Sequence, residues 1–571
     1  MKFAPTTLAV LAMASSAPAQ VPAWSASGEA AGHQFAKTLV VTGDLDGDGV
    51  GDVLVGAPRA SFAGGSSGSV YALSGASGAE LYRIDGAAGS ELFGGALARI
   101  ADVTGDGIDD WIVGASNASQ GVARNGRVEL RSGVDGGFVY ALWGQEQFGY
   151  LGTAVAALGD TNGDGRADFL VSAPLVDSNG QDAGTVFLHS GLDGALLRVH
   201  DGAAAGDSIG QGLVGLGDVS GDGLADYAIG APFSNGGLGY VEAFSGATGT
   251  SLRVLSSTGV MGQIGFALAR VTDRNGDTRD ELAIGAPQDA FAAAGAGSVL
   301  IWDVASGGFP QSVFGQAGDE LGTSVTELGD WNGDLTTDLL IGLAGGAGSA
   351  RVYSGAGAGA AILATVAPEG TSGQLGAAVA GGFDVDGDGQ HEILVGDPSD
   401  DGGGNDAGLV RAFSEHSLLG QALCFGDGTG TVCPCGNFGG LGEGCANSGG
   451  AGGVLEATGT PSVTQDDIRV FATGLRPGQS ALLFVGATEV AGGSGTLFGD
   501  GLRCAGGQIQ RLGVRSPDAQ GAADWGPGLA SQYGWSAGQT RVLQTWYRDT
   551  VASPCGTGFN LTSAFRIDLQ P

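Results

Sequence analysis

Basic residues are scarce in this chain: Lys and Arg together number 24 against 60 Asp and Glu, for a formal net charge of −36. That imbalance argues against nucleic acid or an anionic membrane surface as a partner. No cysteine occurs before Cys424, so no disulfide or thiolate metal site shapes the larger part of the chain. There are five histidines (His33, His189, His200, His391 and His416), and none forms an HExxH pair. The string from Gly64 to Gly68 satisfies GxSxG but lies in a Gly/Ser-rich loop rather than at a strand-to-helix elbow. Past the N-terminus no run reaches the roughly eighteen continuous apolar residues of a membrane-spanning helix, so no integral membrane segment is expected. Glycine is plentiful, at 113 of 571 residues, but it lacks the strict triplet period of collagen. It suits a fold built of tight turns and close strand contacts.

Against that background, a nine-residue acidic loop recurs seven times, each copy followed by a short apolar strand. The copies open at Asp44, Asp102, Asp160, Asp218, Asp273, Asp330 and Asp384. The third position is Asp46, Thr104, Asn162, Ser220, Asn275, Asn332 or Asp386, and the fifth is Asp48, Asp106, Asp164, Asp222, Asp277, Asp334 or Asp388. The ninth is Asp52, Asp110, Asp168, Asp226, Glu281, Asp338 or Glu392. Oxygen side chains at alternate positions of a tight loop converge on one point, and Gly at the fourth position permits the turn. A hard cation such as calcium wants such a donor set, six to eight oxygens at about 2.3–2.6 Å, some of them backbone carbonyls. The carbonyl of the seventh residue is the expected further donor: Val50, Ile108, Arg166, Leu224, Arg279, Thr336 or Gln390. An EF-hand would need Glu at position twelve and flanking helices, but position twelve of the first loop is Val55 and the flanks read as strands. An acidic hairpin without metal would leave up to four carboxylates repelling one another. About seven calcium ions per chain are therefore expected, with magnesium a poor substitute.

The flanks repeat as well. Nine residues ahead of each loop stands an apolar residue, usually followed by Gly: Phe35-Ala36, Phe93-Gly94, Leu151-Gly152, Ile209-Gly210, Ile264-Gly265, Leu321-Gly322 and Leu375-Gly376. Twelve residues after each loop start comes a Gly-Ala-Pro-like triplet such as Gly56-Ala57-Pro58 or Gly230-Ala231-Pro232. Loop starts lie 54 to 58 residues apart, enough for about four short strands, which points to a β-propeller. In the second unit, strands are expected near Leu97–Ala101, Asp110–Gly114, Gly126–Arg131 and Gly137–Trp143. These units resemble the FG-GAP repeats of the integrin α-chain propeller domain, over roughly Trp24 to Ser414. The resemblance implies a seven-bladed propeller with calcium loops between the first two strands of each blade. It also puts the loops between second and third strands on the opposite face, among them Arg59–Ser69, Ser116–Asn125 and Gln288–Ala296. No inserted adhesion domain or stalk accompanies the repeats, so integrin biology is not implied.

Residues 1–19 read as a secretory signal peptide, with Lys2, the apolar run Leu8–Met13 and a small-residue site at Ala17-Pro18-Ala19. The expected organisation is then a propeller over 20–423 and a smaller disulfide-stapled, β-sandwich-like module over 424–571. The even set Cys424, Cys433, Cys435, Cys445, Cys504 and Cys555 predicts three disulfides, with fifteen pairings open. Strands are expected there near Asp467–Thr473, Ser480–Gly486, Gln508–Val514, Thr540–Tyr547 and Ala564–Leu569. The segments CFGDGTG and CPCGN resemble C-terminal modules of secreted planctomycete-type proteins. Closure of the ring needs an outer strand for the seventh unit, and Val21–Ser27 is favoured over Ser417–Ala422. The expected protein is an all-β, secreted or cell-surface (or periplasmic) monomer that binds an extracellular protein or glycan. An exported hydrolase using the propeller as scaffold and a structural cell-envelope component are the alternatives.

Overall fold

The computed structural model describes residues 22–257, 262–331, 336–346, 348–356, 360–367, 373–384, 391–413, 421–426, 431–440, 443–458, 461–463, 466, 468–518, 521–550 and 553–569. The expected signal peptide, Val21 and Ser417–Gly420 lie outside these residues.

Apolar, β-branched runs such as Val53–Ala57 and Asp110–Ala115 form strands buried on both faces, as runs without alternation should. Outer strands such as Glu80–Asp85 are half exposed. Among the described residues these strands assemble into seven four-stranded antiparallel sheets. The first comprises Thr38–Val41, Val53–Ala57, Ser69–Leu73 and Glu80–Asp85. The second comprises Phe93–Ile100, Asp110–Ala115, Arg127–Arg131 and Phe138–Trp143, within a few residues of expectation. The third runs from Val155–Ala157 through Phe169–Ala173 and Thr185–His189 to Leu196–Asp201. The fourth, fifth and sixth start at Leu213–Gly217, Ala267–Val271 and Leu321–Gly329 and repeat the order. The seventh holds Ala378–Phe383, Glu392–Asp397 and Leu409–Phe413, and its outer strand is Trp24–Ser27. The innermost strands touch in sequence, and Ala378–Phe383 touches Thr38–Val41 in turn, so the propeller-like ring closes.

The repeated flanking residues are what join one sheet to the next. Phe93, Leu151, Ile264, Leu321 and Leu375 each form a parallel bridge to a Gly at the head of the preceding sheet's third strand. Phe35 forms the same bridge to Gly408 across the seventh and first sheets. The Gly of the Gly-Ala-Pro-like triplet is needed for close approach. A Cβ at Gly114 would lie 2.1 Å from the Gly152 carbonyl oxygen of the next sheet. The core accordingly lies between sheets: Leu216, Ala228 and Val241 of the fourth pack on Leu282, Ile284 and Trp302 of the fifth.

Trp24 fastens the closing seam. Its strand pairs antiparallel with Leu409–Phe413, its indole Nε1 donates to the Gly75 carbonyl at 2.6 Å, and its ring is 8% exposed. The alternative closure by Ser417–Ala422 is not taken up by Gln421–Leu423, which pairs with Phe559–Asp568 in the C-terminal module. That module packs a five-stranded sheet (Gln421–Leu423, Phe559–Asp568, Thr540–Arg548, Ala481–Gly486 and Gln510–Arg515) on a three-stranded one. The smaller sheet contains Val454–Thr458, Arg469–Thr473 and Ala523–Trp525. Leu455, Val470, Leu483, Trp525 and Phe565 fill the space between the two sheets. Its cysteines pair as Cys424–Cys504, Cys433–Cys445 and Cys435–Cys555. Val454–Thr458 and Ala523–Trp525 were not expected; each sits beside glycine-rich sequence that hides so short a run.

Replacing Trp24 by Ala removes both a buried ring and the clasp on Gly75. The expected cost is about 3–5 kcal/mol, read from denaturant unfolding of the full chain. A cost below about 1 kcal/mol, the range of ordinary surface substitutions, would contradict closure by the N-terminal strand.

Candidate metal centres

Each acidic loop connects the innermost strand of a sheet to the second strand, so equivalent loops sit at equivalent ends of successive sheets. The first-position carboxylate organises the turn. In the first loop Asp44 Oδ1 accepts from Gly47 N–H at 2.6 Å and Oδ2 from Gly49 N–H at 2.9 Å. The same pair of bonds recurs at Asp160 (Gly163 and Gly165, 2.6 and 2.8 Å) and Asp218 (Gly221 and Gly223, 2.6 and 2.8 Å). The fifth-position carboxylate accepts from the N–H two residues on, as Asp106 does from Ile108 at 3.0 Å and Asp222 from Leu224 at 3.0 Å. These amides hold exposed carboxylates in the charged form: the Gly107 N–H first among several lowers the Asp102 pKa, and the Ile108 N–H does so for Asp106.

The ninth position behaves differently. Asp52, Asp110, Asp168, Asp226, Glu281, Asp338 and Glu392 are all buried. Asp52 accepts from Leu45 N–H at 2.6 Å within its loop and from Gly75 N–H at 2.8 Å in the turn after the third strand. Asp110 does the same with Val103, Thr104 and Gly133, at 2.9, 2.9 and 3.0 Å. Asp226 takes Ser220 and Gly246, at 2.7 and 2.9 Å, and Asp338 takes Trp331 and Gly355, at 2.9 and 2.8 Å. This residue therefore ties the loop to the body of the sheet. Burial pushes the carboxyls of Asp52, Asp110, Asp168 and Asp226 above their ordinary range and that of Glu281 up to about 7. A bound cation would offset that desolvation and the repulsion from the neighbouring acids.

Three loops draw three carboxylates to within 4.8 Å of one another: Asp44, Asp46 and Asp48; Asp102, Asp106 and Asp110; and Asp273, Asp277 and Glu281. The neutral third-position residues stand in the same places. Thr104 Oγ1 donates to Asp106 Oδ2 at 2.8 Å, Asn162 Nδ2 to Asp164 Oδ2 at 2.9 Å, Ser220 Oγ to Asp218 Oδ1 at 3.4 Å, and Asn275 Nδ2 to Glu281 Oε1 at 2.7 Å. Val50, Ile108, Arg166, Leu224, Arg279 and Thr336 all occupy their loops ahead of the second strand. Asp330 and Asp384 flank the incompletely described sixth and seventh loops, and Asn332, Asp334, Asp386, Asp388 and Gln390 lie outside the described residues.

A further oxygen-bearing position faces the loops. The turn after the third strand carries Ser132, Ser190 and Ser245, whose hydroxyls donate to the fifth-position carboxylates Asp106, Asp164 and Asp222 at 3.0, 3.4 and 3.0 Å. In the fifth sheet that place is taken by Asp303, which receives Asn275 Nδ2 at 3.1 Å and adds a fourth acid to the site. The Ser-Gly that follows the third strand in the first four sheets and the sixth was the signal for it. One loop is strained. Its sixth residue adopts positive φ, Gly49 at +96° in the first loop, but the fifth loop places Thr278 there at +71°.

The FG-GAP repeat family model matches residues 38–73 and 151–189, each span enclosing one acidic loop. A 223-residue stretch is 32% identical to integrin alpha pat-2 of Caenorhabditis elegans, covering 35% of this chain and 18% of that protein. Integrin alpha-V of Gallus gallus is 33% identical over 209 residues, covering 34% of this chain and 20% of that protein. The chain thus spans about a fifth of the length of these relatives. A solved structure titled "Crystal structure of BBS1N in complex with ARL6DN, soaked with mercury" aligns at TM-score 0.44 and 12% identity, covering 69% of this chain and 96% of that one.

Two substitutions test the site's construction. Asp110→Asn offers one carbonyl oxygen to three main-chain N–H groups, so it should cost about 1–3 kcal/mol even in chelator. A loss seen only with calcium present would mean that the carboxylate is no structural tie. Thr278→Gly relieves a β-branched residue at positive φ and should raise stability by about 1 kcal/mol in urea unfolding. Unchanged or lower stability would contradict the strain.

Proposed function

We propose that this chain, which carries FG-GAP repeats, is a secreted calcium-binding propeller that holds about seven ions and presents its opposite loop face to an extracellular protein or glycan. The observation that carries the metal reading is that the carboxylates of Asp102, Asp106 and Asp110 bring oxygens within 4.8 Å of one another, as do Asp273, Asp277 and Glu281 in the fifth loop and Asp44, Asp46 and Asp48 in the first. Side chains at positions one, three, five and nine would hold the ion, with the seventh carbonyl completing the set. Calcium would supply charge neutralisation and cross-linking, and no redox or acid–base chemistry is asked of it. Its larger, more adaptable shell suits these mixed carboxylate, amide and hydroxyl donors better than the octahedral demand of magnesium.

The binding reading draws support from three features. The relatives are integrin alpha chains by name. The C-terminal module is fully disulfide-bonded, which suits an oxidising compartment. Among the described residues no helix is long and apolar enough to cross a membrane. On the face opposite the acidic loops, Phe62, Phe233 and Phe291 are 40%, 40% and 68% exposed, and the Arg83 guanidinium lies 3.7 Å from the Phe62 ring. Loops on a rigid scaffold are where recognition residues gather.

A ligand that binds only the native state stabilises it by about 1.4 kcal/mol per site at ten times its Kd. Several such sites rival the net stability of a domain, about 5–15 kcal/mol. Chelation should therefore lower the Tm of the full chain by about 10 °C, at about 1 °C per kcal/mol for a unit of roughly 400 residues. Native mass spectrometry should count about seven ions, one per loop. Two ions or fewer, with a shift of about a degree, would contradict the proposal.

A further inference from the structure

Neighbouring acidic loops touch, and in two of them the contact starts from the seventh residue, whose carbonyl is the expected further donor. Arg166 of the third loop donates through Nη1 to the Asp102 carbonyl of the second loop at 2.8 Å. A Cβ on Gly105, the fourth residue of that loop, would stand 3.6 Å from Arg166 Nη2. Arg279 of the fifth loop reaches the same place on the fourth, where a Cβ on Gly221 would stand 3.1 Å from its Nη2. Other pairs meet differently. Ala225 N–H of the fourth loop donates to the Asp160 carbonyl of the third at 3.0 Å. Arg274 of the fifth loop donates to the Thr337 carbonyl of the sixth at 2.6 Å. Contacts therefore run unbroken from the second loop to the sixth. Among the described residues no hydrogen bond joins the first loop to the second.

Arg166 joins two groups that an ion would order. At its root, the Arg166 N–H donates to Asp164 Oδ1 at 2.8 Å, so the fifth-position carboxylate and the main chain of the seventh residue are held together. At its tip lies Asp102, whose carboxylate gathers the second loop by accepting from Gly105 N–H at 2.5 Å and Gly107 N–H at 2.9 Å. The guanidinium bonds the Asp102 main-chain oxygen, so it clamps the loop without competing for the ligand carboxylates.

Two effects then oppose each other. Ordering the third loop fixes the root of Arg166 and with it the shape of the second, so less disorder remains to be lost there. Two bound dications repel, but salt screens exposed charges beyond about 8 Å at physiological ionic strength. The half-buried contact between Arg166 and Asp102 is screened much less. Ordering therefore decides the sign.

We propose that the metal centres of the second and third sheets bind calcium with positive coupling, transmitted by Arg166, and that Arg279 does the same between the fourth and fifth. The inference rests on the calcium-binding reading and says how its sites communicate. The test follows calcium-dependent protection of second-loop and third-loop amides in the full chain by hydrogen exchange and mass spectrometry. Asp164→Ala removes the fifth-position carboxylate of the third loop and should raise the calcium midpoint of the second about fivefold. Coupling between binding sites is reciprocal, so Asp106→Ala should raise the third-loop midpoint by the same factor. Arg166→Ala keeps the main-chain carbonyl of the third loop. In that background neither substitution should shift the other loop further, and Arg166→Lys should restore part of the coupling. Asp48→Ala, in the unlinked first loop, should leave the second-loop midpoint in place; a shift as large as that of Asp164→Ala would mean general destabilisation and overturn the inference. A second-loop midpoint that ignores Asp164→Ala, falls, or moves as far without Arg166 also overturns it, while calcium binding stands. No calcium-dependent protection in any loop would strike the calcium reading itself, and the coupling with it.

Discussion

A carboxylate forced into the interior at the ninth position of each acidic loop is the constraint on which the rest of the ring depends. Seven such residues are buried, and those of the first, second, fourth and sixth loops are each tied to main-chain N–H groups on two separate segments. Water is exchanged for a few amides, and burial raises the pKa values of Asp52, Asp110 and Asp226. A divalent ion meets that deficit directly, because it supplies the positive charge the amides lack. The same carboxylate thus links the loop, the strand that follows it and the turn between third and fourth strands. On the proposed calcium-binding reading, metal loading and sheet geometry would be one equilibrium.

Close approach between sheets is the second condition. Gly114 meets the carbonyl of Gly152 with no room for a side chain, and Phe93 bridges back to Gly68. Repetition of these contacts at every seam would still leave an open fan without a closing strand. Trp24–Ser27 supplies it, and the Phe35–Gly408 bridge reproduces at the closing seam what the other bridges do. Neighbouring sheets then bury their apolar strands against each other around the closed ring.

The parts legible from sequence are those whose chemistry is local. Alternate oxygens from Asp44 to Asp52 lie in one turn, so spacing alone shows that they converge. The Phe-Gly and Gly-Ala-Pro-like flanks were visible as a rhythm, though their purpose, contact between successive sheets, is a tertiary fact. Ser132, Ser190, Ser245 and Asp303 were missed because each meets its loop from the turn after the third strand, 23 to 28 residues along the chain. Disulfide pairing was out of reach for the same reason: Cys435 and Cys555 stand 120 residues apart.

The central claim is that the loops are built around a cation. Anomalous diffraction from crystals of the full chain grown in calcium, collected at long wavelength, tests it most directly. The account predicts a peak in each of the five loops described in full, opening at Asp44, Asp102, Asp160, Asp218 and Asp273. Each peak should lie about 2.3–2.6 Å from side-chain oxygens of the first, fifth and ninth residues and from the seventh carbonyl. Loops that keep their shape with no anomalous peak, at saturating calcium, would contradict it.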